Sequence, residues 1–203
     1  MMSQTDTPRP LFRFCIPFFV AVSLGGAALP AYGQPVLSSD RGISQADASS
    51  EDFPGQGWGI RLGFQNHYRK IALVYQTPTW WSYQFQNGWG RVDLNAELGV
   101  SYWNASHGDP DSLWQLSATP MLRWWPKDYF YTEIGVGATV LSRTRFADRN
   151  LGTAFQFGDH VGFGVLINQV HQLGLRYSHF SNGGIKTPND GLDVYQLTYT
   201  YRY

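Results

Sequence analysis

Apolar and polar residues alternate position by position along eight segments of the chain between Trp58 and Tyr203. Successive side chains of a β-strand point to opposite faces of its sheet, so this period of two predicts strands with one apolar face and one polar face. An even number of such strands suits a closed antiparallel barrel. The alternating segments are residues 58–65, 69–77, 91–102, 114–124, 133–140, 160–168, 172–177 and 195–203, of which the second is the least regular.

The composition of the two faces indicates which of them is inside the barrel. The polar face is rich in glycine and isolated charges of both signs, which suits a small lumen filled by ion pairs. The apolar face ends in aromatic residues, as in the interfacial girdles of membrane barrels. The polar-face charges are Arg61, Arg91, Asp93, Glu97, Arg123, Glu133, Arg176 and Arg202. The girdle aromatics are Trp58, Tyr102, Trp114, Trp124, Phe130, Tyr201 and Tyr203.

These patterns predict an all-β protein, an eight-stranded antiparallel transmembrane β-barrel of the outer membrane. Segments of roughly ten residues match the span of a tilted transmembrane strand. A closed barrel satisfies every backbone polar group within the bilayer, so no long apolar run is needed. The alternative is a soluble, lipocalin-like barrel, in which the apolar face would point inward. Pro120 fits the barrel worst, because proline cannot donate a hydrogen bond to a β-ladder.

Residues 1–33 carry the features of a cleaved signal peptide. Arg9 and Arg13 precede the apolar run at 14–29, and the small residues of the tripeptide "AYG" follow it. A signal-anchor helix is the alternative, but this run is short and is interrupted by Pro17. We therefore expect the mature protein to begin near the end of this segment.

The remainder of the chain divides into a flexible segment, 34–56, and a barrel domain, 57–203. The first is polar and has no hydrophobic period. The only cysteine, Cys15, lies in the predicted signal peptide, so the mature chain is expected to lack disulfides and cysteine metal ligands. After removal of residues 1–33, 13 basic residues balance 14 acidic ones, which gives no support to nucleic-acid binding.

The lengths of the links suggest an orientation. Short links such as "NQVHQ" and "WPKDYF" alternate with longer polar ones such as "NASHGDPDS" and "SRTRFADRNLGT". In outer-membrane barrels the short turns are periplasmic and the long loops extracellular. The link "TPTWWSYQFQNGW" after the second strand is too long for this rule.

A polar cluster interrupts the last two strands in "RYSHFSNGGIKTPNDGLDVYQLTYTYRY". His179 and Ser181 continue the apolar parity of one strand, and Asp193 continues that of the next, so all three are predicted to face lipid near the outer headgroups. A serine, a histidine and a carboxylate are the components of an acyl-transfer triad. Ser181 would be the nucleophile, His179 the general base and then acid, and Asp193 the group that orients the imidazole. Gly183 and Gly184 would let backbone N–H groups approach an oxyanion.

The motif "HFSNGGIKTPNDGLD" resembles that of the outer-membrane lipid A 3-O-deacylases, the PagL-like family. The resemblance is dense from about Arg176 to Asp193 and thins to shared architecture elsewhere. It implies a carboxylic ester hydrolase, a serine esterase that removes the 3-linked acyl chain of lipid A and so modifies lipopolysaccharide at the outer leaflet. It also implies that Asn182 or Asn189 assists the oxyanion site. The acid is often Glu in that family, and the shorter Asp193 puts the rate of reaction in question.

Other readings of this cluster remain open. The triad alone is also compatible with a phospholipase-like or acyltransferase barrel, and turn chemistry alone with a non-enzymatic structural or adhesive barrel. No metal or cofactor is expected, because "HGDPDS" lacks a calcium-loop pattern. The expected partners are lipid A within lipopolysaccharide and the surrounding outer-membrane lipids, with a homodimer as an open alternative and no nucleic acid.

Overall fold

A computed structural model describes residues 55–203 as an all-β protein. Its strands are β1 (Gly57–Phe64), β2 (Tyr68–Gln76), β3 (Trp81–Gln84), β4 (Arg91–Ala105), β5 (Ser112–Lys127), β6 (Phe130–Leu141), β7 (Arg145–Phe146), β8 (Arg149–Asn150), β9 (Phe155–Ile167), β10 (His171–Ser181) and β11 (Leu192–Arg202). The predicted signal peptide and nearly all of segment 34–56 lie outside the described residues. Within residues 55–203 there is no helix that is long and apolar enough to cross a bilayer.

Eight of these strands close into an antiparallel barrel, as the alternation predicts. They are β1, β2, β4, β5, β6, β9, β10 and β11, and each pairs with the next in this order. The ring closes where β1 pairs with β11, from Gly57 opposite Arg202 to Phe64 opposite Tyr195. The predicted fold class is therefore confirmed, and the barrel has no free edge in this ring.

The long link after β2 contains a further strand, β3. β2 pairs with the C-terminal part of β4, ending with Gln76 opposite Glu97. β3 pairs with the N-terminal part of β4, starting with Trp81 opposite Leu94. Thus β3 continues the line of β2 along β4 beyond Gly57, where β1 begins. Only residues 85–90 form the turn, closed by the Phe85 amide donating to the Gly90 carbonyl at 2.9 Å. The link between β2 and β4 is long in sequence, but its turn is short because residues 81–84 continue the aromatic alternation as β3.

Pro120 lies within β5 and points outward. Its partner on β4 is Ala96, but on the β6 side the pairing passes from Ala118 opposite Ala138 directly to Met121 opposite Gly135. The ladder therefore omits the pairs at the position where proline has no N–H to donate. A central strand accommodates the proline at the cost of a local gap.

The polar face lines the lumen and forms a buried ion-pair network. Glu97 accepts from Arg61 at 3.0 Å, from Arg123 at 2.7 Å and from Arg176 at 2.7 Å. Glu133 accepts from Arg123 at 2.9 Å and from Arg176 at 2.7 Å. The two carboxylates thus tie β1, β4, β5, β6 and β10 together across the interior. A cavity of about 20 Å³ beside this network has room for roughly one water molecule.

The apolar face is exposed around the whole circumference, as expected of a surface solvated by lipid. Trp58, Leu116, Ile134, Leu175 and Tyr195, from five different strands, are each about half exposed or more. The soluble alternative is excluded, since it requires these residues inside and the arginines outside.

The two ends of the barrel differ. We call the end that carries links 85–90, 128–129 and 168–170 the turn end, and the opposite end, where β10 finishes and β11 begins, the loop end. At the loop end, residues 142–154 contain the small hairpin β7–β8 and residues 182–191 connect β10 to β11. The link from β1 to β2 is short although it also lies at the loop end.

Candidate active site

His179 and Asp193 form a hydrogen-bonded pair across two neighbouring strands at the loop end. They are directly opposite each other in the β10–β11 ladder, and Nδ1 of His179 lies 2.7 Å from Oδ1 of Asp193. Their side chains are 37% and 35% exposed, so both are open to the outside of the barrel yet partly screened. This geometry fixes the imidazole through Nδ1, so Nε2 is the ring nitrogen that is left to accept a proton.

Ser181 lies two residues beyond His179 on the same face and is the last residue of β10. Residues two apart on a strand have α-carbons about 7 Å apart and parallel side chains. In the part of the chain that the structure describes, its hydroxyl makes no hydrogen bond to His179. A nucleophile and its base often stand further apart without substrate than during the reaction. The parity of the sequence thus places the three predicted residues together, and their catalytic roles stay predictions.

Two tyrosines that the sequence analysis missed also hold Asp193. The hydroxyl of Tyr177 donates to Oδ1 of Asp193 at 2.5 Å, the same oxygen that faces His179. The hydroxyl of Tyr68, at the start of β2, donates to the Asp193 carbonyl at 2.9 Å and accepts from the Asp193 amide at 3.1 Å. Tyr177 shares the parity of His179, which is a signal that could have revealed it, whereas Tyr68 is distant in sequence.

A second carboxylate flanks His179 on its other side. Asp159 of β9 is opposite His179 in the β9–β10 ladder and points outward. His179 makes its hydrogen bond with Asp193 and not with Asp159. The imidazole therefore lies between two acidic side chains, of which Asp193 is the one that orients it.

Asn182 builds the loop that follows Ser181. It is fully buried, and its amide nitrogen donates to the carbonyls of Leu151 at 2.9 Å and Lys186 at 2.7 Å. Its Oδ1 accepts from the amide of Gly184 at 2.9 Å, and its own backbone N–H donates to Oδ1 of Asn189 at 3.0 Å. Every donor of the Asn182 side chain is thus engaged in shaping the loop.

The backbone of Gly183 is differently placed. Gly183 and Gly184 have φ angles of 63° and 84°, a left-handed conformation that glycine adopts without steric cost. Among residues 55–203, the Gly183 N–H makes no hydrogen bond, whereas that of Gly184 is bound to Asn182. Gly183 therefore offers an uncommitted backbone donor two residues after Ser181.

The hairpin β7–β8 supports this loop from the side. The backbone N–H of Asn150 donates to Oδ2 of Asp190 at 2.7 Å, and the Asp190 amide donates to the Asn150 carbonyl at 3.2 Å. Nη1 of Arg149 donates to the carbonyls of Asp190 at 3.1 Å and Gly191 at 3.2 Å. The segment just before Asp193 is thereby pinned to the hairpin.

A second serine–histidine pair faces the opposite way. Oγ of Ser178 lies 2.7 Å from Nδ1 of His160 and accepts from Gln196 at 2.5 Å. Ser178 is fully buried and points into the lumen. Because lipid has no access to that interior, parity separates this structural pair from the outward-facing Ser181 and His179.

Comparison with known proteins points to one group. The sequence profile of a family described as "Lipid A 3-O-deacylase (PagL)" matches residues 67–202. A protein of Bordetella bronchiseptica named "Lipid A deacylase PagL" is 54% identical over 164 residues, which cover 79% of this chain and 92% of that protein. A protein of the same name from Pseudomonas aeruginosa is 34% identical over 125 residues, covering 60% of this chain and 69% of that protein. The crystal structure of "the outer membrane enzyme PagL" is similar with a TM-score of 0.63 and 27% identity, covering 72% of this chain and 99% of that one.

Proposed function

The chain belongs to the lipid A 3-O-deacylase (PagL) family, and on this premise we propose that it removes the acyl chain ester-linked to the 3-position of lipid A by a serine, histidine and acid mechanism. Family membership and the barrel fold make it an outer-membrane hydrolase that deacylates lipid A. The position of the cleaved ester and the residues that cleave it are our proposal.

One observation carries the mechanism: the His179–Asp193 pair lies on the outer face of the barrel, in line with Ser181. Polar side chains on a lipid-facing surface are energetically costly, so their presence there indicates a function. With the loop end extracellular, the pair lies at the level where the ester bonds of the outer leaflet meet the headgroups. The substrate then approaches sideways from the membrane.

In the first half of the reaction, Nε2 of His179 accepts the proton of the Ser181 hydroxyl while Oγ attacks the ester carbonyl carbon. The resulting tetrahedral oxyanion collapses and breaks the bond between the carbonyl carbon and the sugar oxygen. That oxygen leaves with the proton from His179, so the deacylated lipid A is released and the acyl group is bound to Ser181. Asp193 stabilises the imidazolium formed between these steps.

In the second half, His179 accepts a proton from water, and the resulting hydroxide attacks the acyl carbon on Ser181. Collapse of the second oxyanion breaks the bond to Oγ, which recovers its proton from His179. A free fatty acid is released and the enzyme is restored. His179 therefore acts first as a general base and then as a general acid in each half of the reaction.

The oxyanion needs a donor that is not already engaged. The uncommitted N–H of Gly183 supports its assignment as one donor, and the Asn189 amide is a candidate for a second. Asn182 and Gly184 then contribute indirectly, because their hydrogen bonds hold the loop in its left-handed conformation. Homodimer formation stays a prediction.

The test is mass spectrometry of lipid A from cells that express the wild type, Ser181→Ala or Ser178→Ala. We expect loss of one 3-linked acyl chain with the wild type and with the inward-facing Ser178→Ala control, and an intact pattern with Ser181→Ala. Loss of an acyl chain from another position would overturn the regiochemistry. Full activity of Ser181→Ala would overturn the mechanism.

A further inference from the structure

Arg149 occupies a fixed position beside the candidate catalytic pair. Its Nη1 donates to the carbonyls of Asp190 and Gly191, the two residues that precede the start of β11. Gly191 in turn packs on the imidazole: a β-carbon at Gly191 would lie 3.0 Å from Cε1 of His179. The guanidinium is therefore held by the residue that contacts the proposed general base.

No carboxylate forms a direct ion pair with Arg149 in the described part of the chain, and Asp193 interacts with its charge only at longer range. Asp190, whose carbonyl Arg149 contacts, directs its carboxylate to the Asn150 backbone N–H instead. No ion pair joins this carboxylate to Arg149. Nε and Nη2 of Arg149 make no hydrogen bond within residues 55–203. The side chain is half-buried, and a partly desolvated cation without a directly bound anion is unfavourable.

This arrangement is also unfavourable for the reaction unless an anion is bound. His179 becomes positively charged during each half of the proposed mechanism, and a nearby guanidinium that has no directly bound anion opposes that charge. An anion on Arg149 would remove the opposition. Two free donor groups on one planar guanidinium match the geometry of a phosphate group.

We propose that Arg149 binds a phosphate monoester on the glucosamine unit whose acyl chain is cleaved, and so positions that unit over Ser181. This inference rests on the proposed function, because lipid A carries phosphate on its sugars close to its ester-linked chains. Nη1 keeps the guanidinium in place on the loop, while Nε and Nη2 contact the phosphate. The same contact favours phosphorylated lipid A over lipids without phosphate on the sugar.

A binding measurement separates this inference from the reaction itself. The Ser181→Ala protein, purified in an uncharged detergent without phospholipid, is titrated with bisphosphorylated lipid A and with lipid A lacking the phosphate on the unit that bears the 3-linked chain to be removed. Lipid A lacking the phosphate on the other unit is the third ligand. We expect Kd to rise about 10-fold or more only when the neighbouring phosphate is missing, as for loss of a hydrogen bond between charged groups.

The double variant Ser181→Ala/Arg149→Gln should bind bisphosphorylated lipid A as weakly as the lipid that lacks this phosphate, and should not discriminate between the two. Arg149→Lys in the same background should retain part of the discrimination, since it keeps the charge but loses the planar donor pair. Arg143→Gln is the matched control: it removes an exposed arginine of the same 142–154 link and should leave every Kd unchanged. Folding of each variant is checked by the heat-dependent gel mobility of the barrel.

Discrimination that survives in Arg149→Gln would overturn the inference, as would equal affinity of the Ser181→Ala protein for the three lipids. A lower affinity in the presence of added anionic phospholipid, without discrimination among the three lipids, would assign the phosphate to a membrane headgroup and also overturn it. The proposed function fails on a different readout, the position of the acyl chain lost in cells.

Discussion

Tyr177 and His179 donate to the same oxygen of Asp193, at 2.5 Å and 2.7 Å, from alternate positions of one strand. The carboxylate is thus held in the orientation that the imidazole requires, although the aspartate side chain is one methylene shorter than glutamate. Two donors on one oxygen also keep the negative charge directed towards the ring.

Removing the Tyr177 hydroxyl should therefore impair the chemical step more than substrate binding. We expect Tyr177→Phe to lower kcat about 10-fold with little change in KM, since a hydrogen bond to a charged group contributes about 1.5–3 kcal/mol. Kinetics on micellar lipid A measures both constants. A change confined to KM would show that Tyr177 contacts the lipid and does not position Asp193.

Asp193→Asn tests the orientation of the imidazole directly. The amide is similar in size to the carboxylate but cannot stabilise the imidazolium, so we expect a loss in kcat of about 10²- to 10⁴-fold. Asp193→Glu keeps the charge and should retain far more activity than the amide variant. Equal activities of the two variants would argue against a charge requirement at this position.

The two serine–histidine pairs should respond in opposite ways to the same substitution. Ser181→Ala should abolish deacylation, whereas Ser178→Ala should leave kcat/KM within about 3-fold of the wild type, because non-catalytic changes act mainly through stability. Ser178→Ala removes the partner of His160 and Gln196 and should lower the unfolding temperature slightly. Steady-state kinetics of the purified variants, measured over the same range of substrate concentrations, distinguish these outcomes.

Asn182→Ala should disorder the loop without unfolding the barrel. It removes two donors and one acceptor that shape residues 182–191, and each buried group left unpaired costs about 1–3 kcal/mol. We expect activity to fall at least about 10-fold and proteolytic cleavage to appear in the loop. Cleavage restricted to this loop, with unchanged heat-dependent gel mobility, would show that the loop is disordered while the barrel stays folded. An active variant with a protected loop would contradict this role.

The stability of the barrel should depend on Glu97 more than on any other acidic residue of the network. In the wild type the Glu97 carboxylate pairs with three arginines, and Glu97→Gln removes that negative charge while the arginines stay charged. Breaking a buried ion pair in this way lowers the free energy of unfolding by about 3–5 kcal/mol. Urea unfolding in detergent micelles, followed by gel mobility, measures the loss. Asp148→Asn, at an exposed position in the 142–154 link, is the control and should unfold like the wild type.

Most of the fold was predictable because strand pleating forces the side-chain pattern to repeat every second residue. That pattern predicts eight strands, the inward direction of residues such as Arg176 and the outward direction of His179. It missed β3, since a strand that continues past an interruption resembles a long polar link. It also could not show the hairpin β7–β8, whose two-residue strands are too short to display a period.

The candidate site was predictable in its direction but not in its contacts. Parity brought His179, Ser181 and Asp193 to one face, but only the register of β10 on β11 places His179 directly opposite Asp193. The hydroxyl of Tyr68 reaches Asp193 because β2 follows β1 around the ring, 125 residues away in sequence. Such contacts depend on closure of the barrel, which no local pattern encodes. The contacts of Arg149 with Asp190 and Gly191 could not be predicted either, because in the sequence Arg149 resembles any other charged loop residue.

The filled lumen has a consequence for how the enzyme meets its substrate. Arginine–glutamate pairs occupy the interior and leave space for about one water molecule, so neither lipid nor fatty acid can pass through the protein. Both substrate and products must enter and leave by lateral diffusion in the plane of one leaflet. Turnover should therefore follow the mole fraction of lipid A in that leaflet, and diluting it with inert amphiphile should slow the enzyme even when the bulk concentration stays constant.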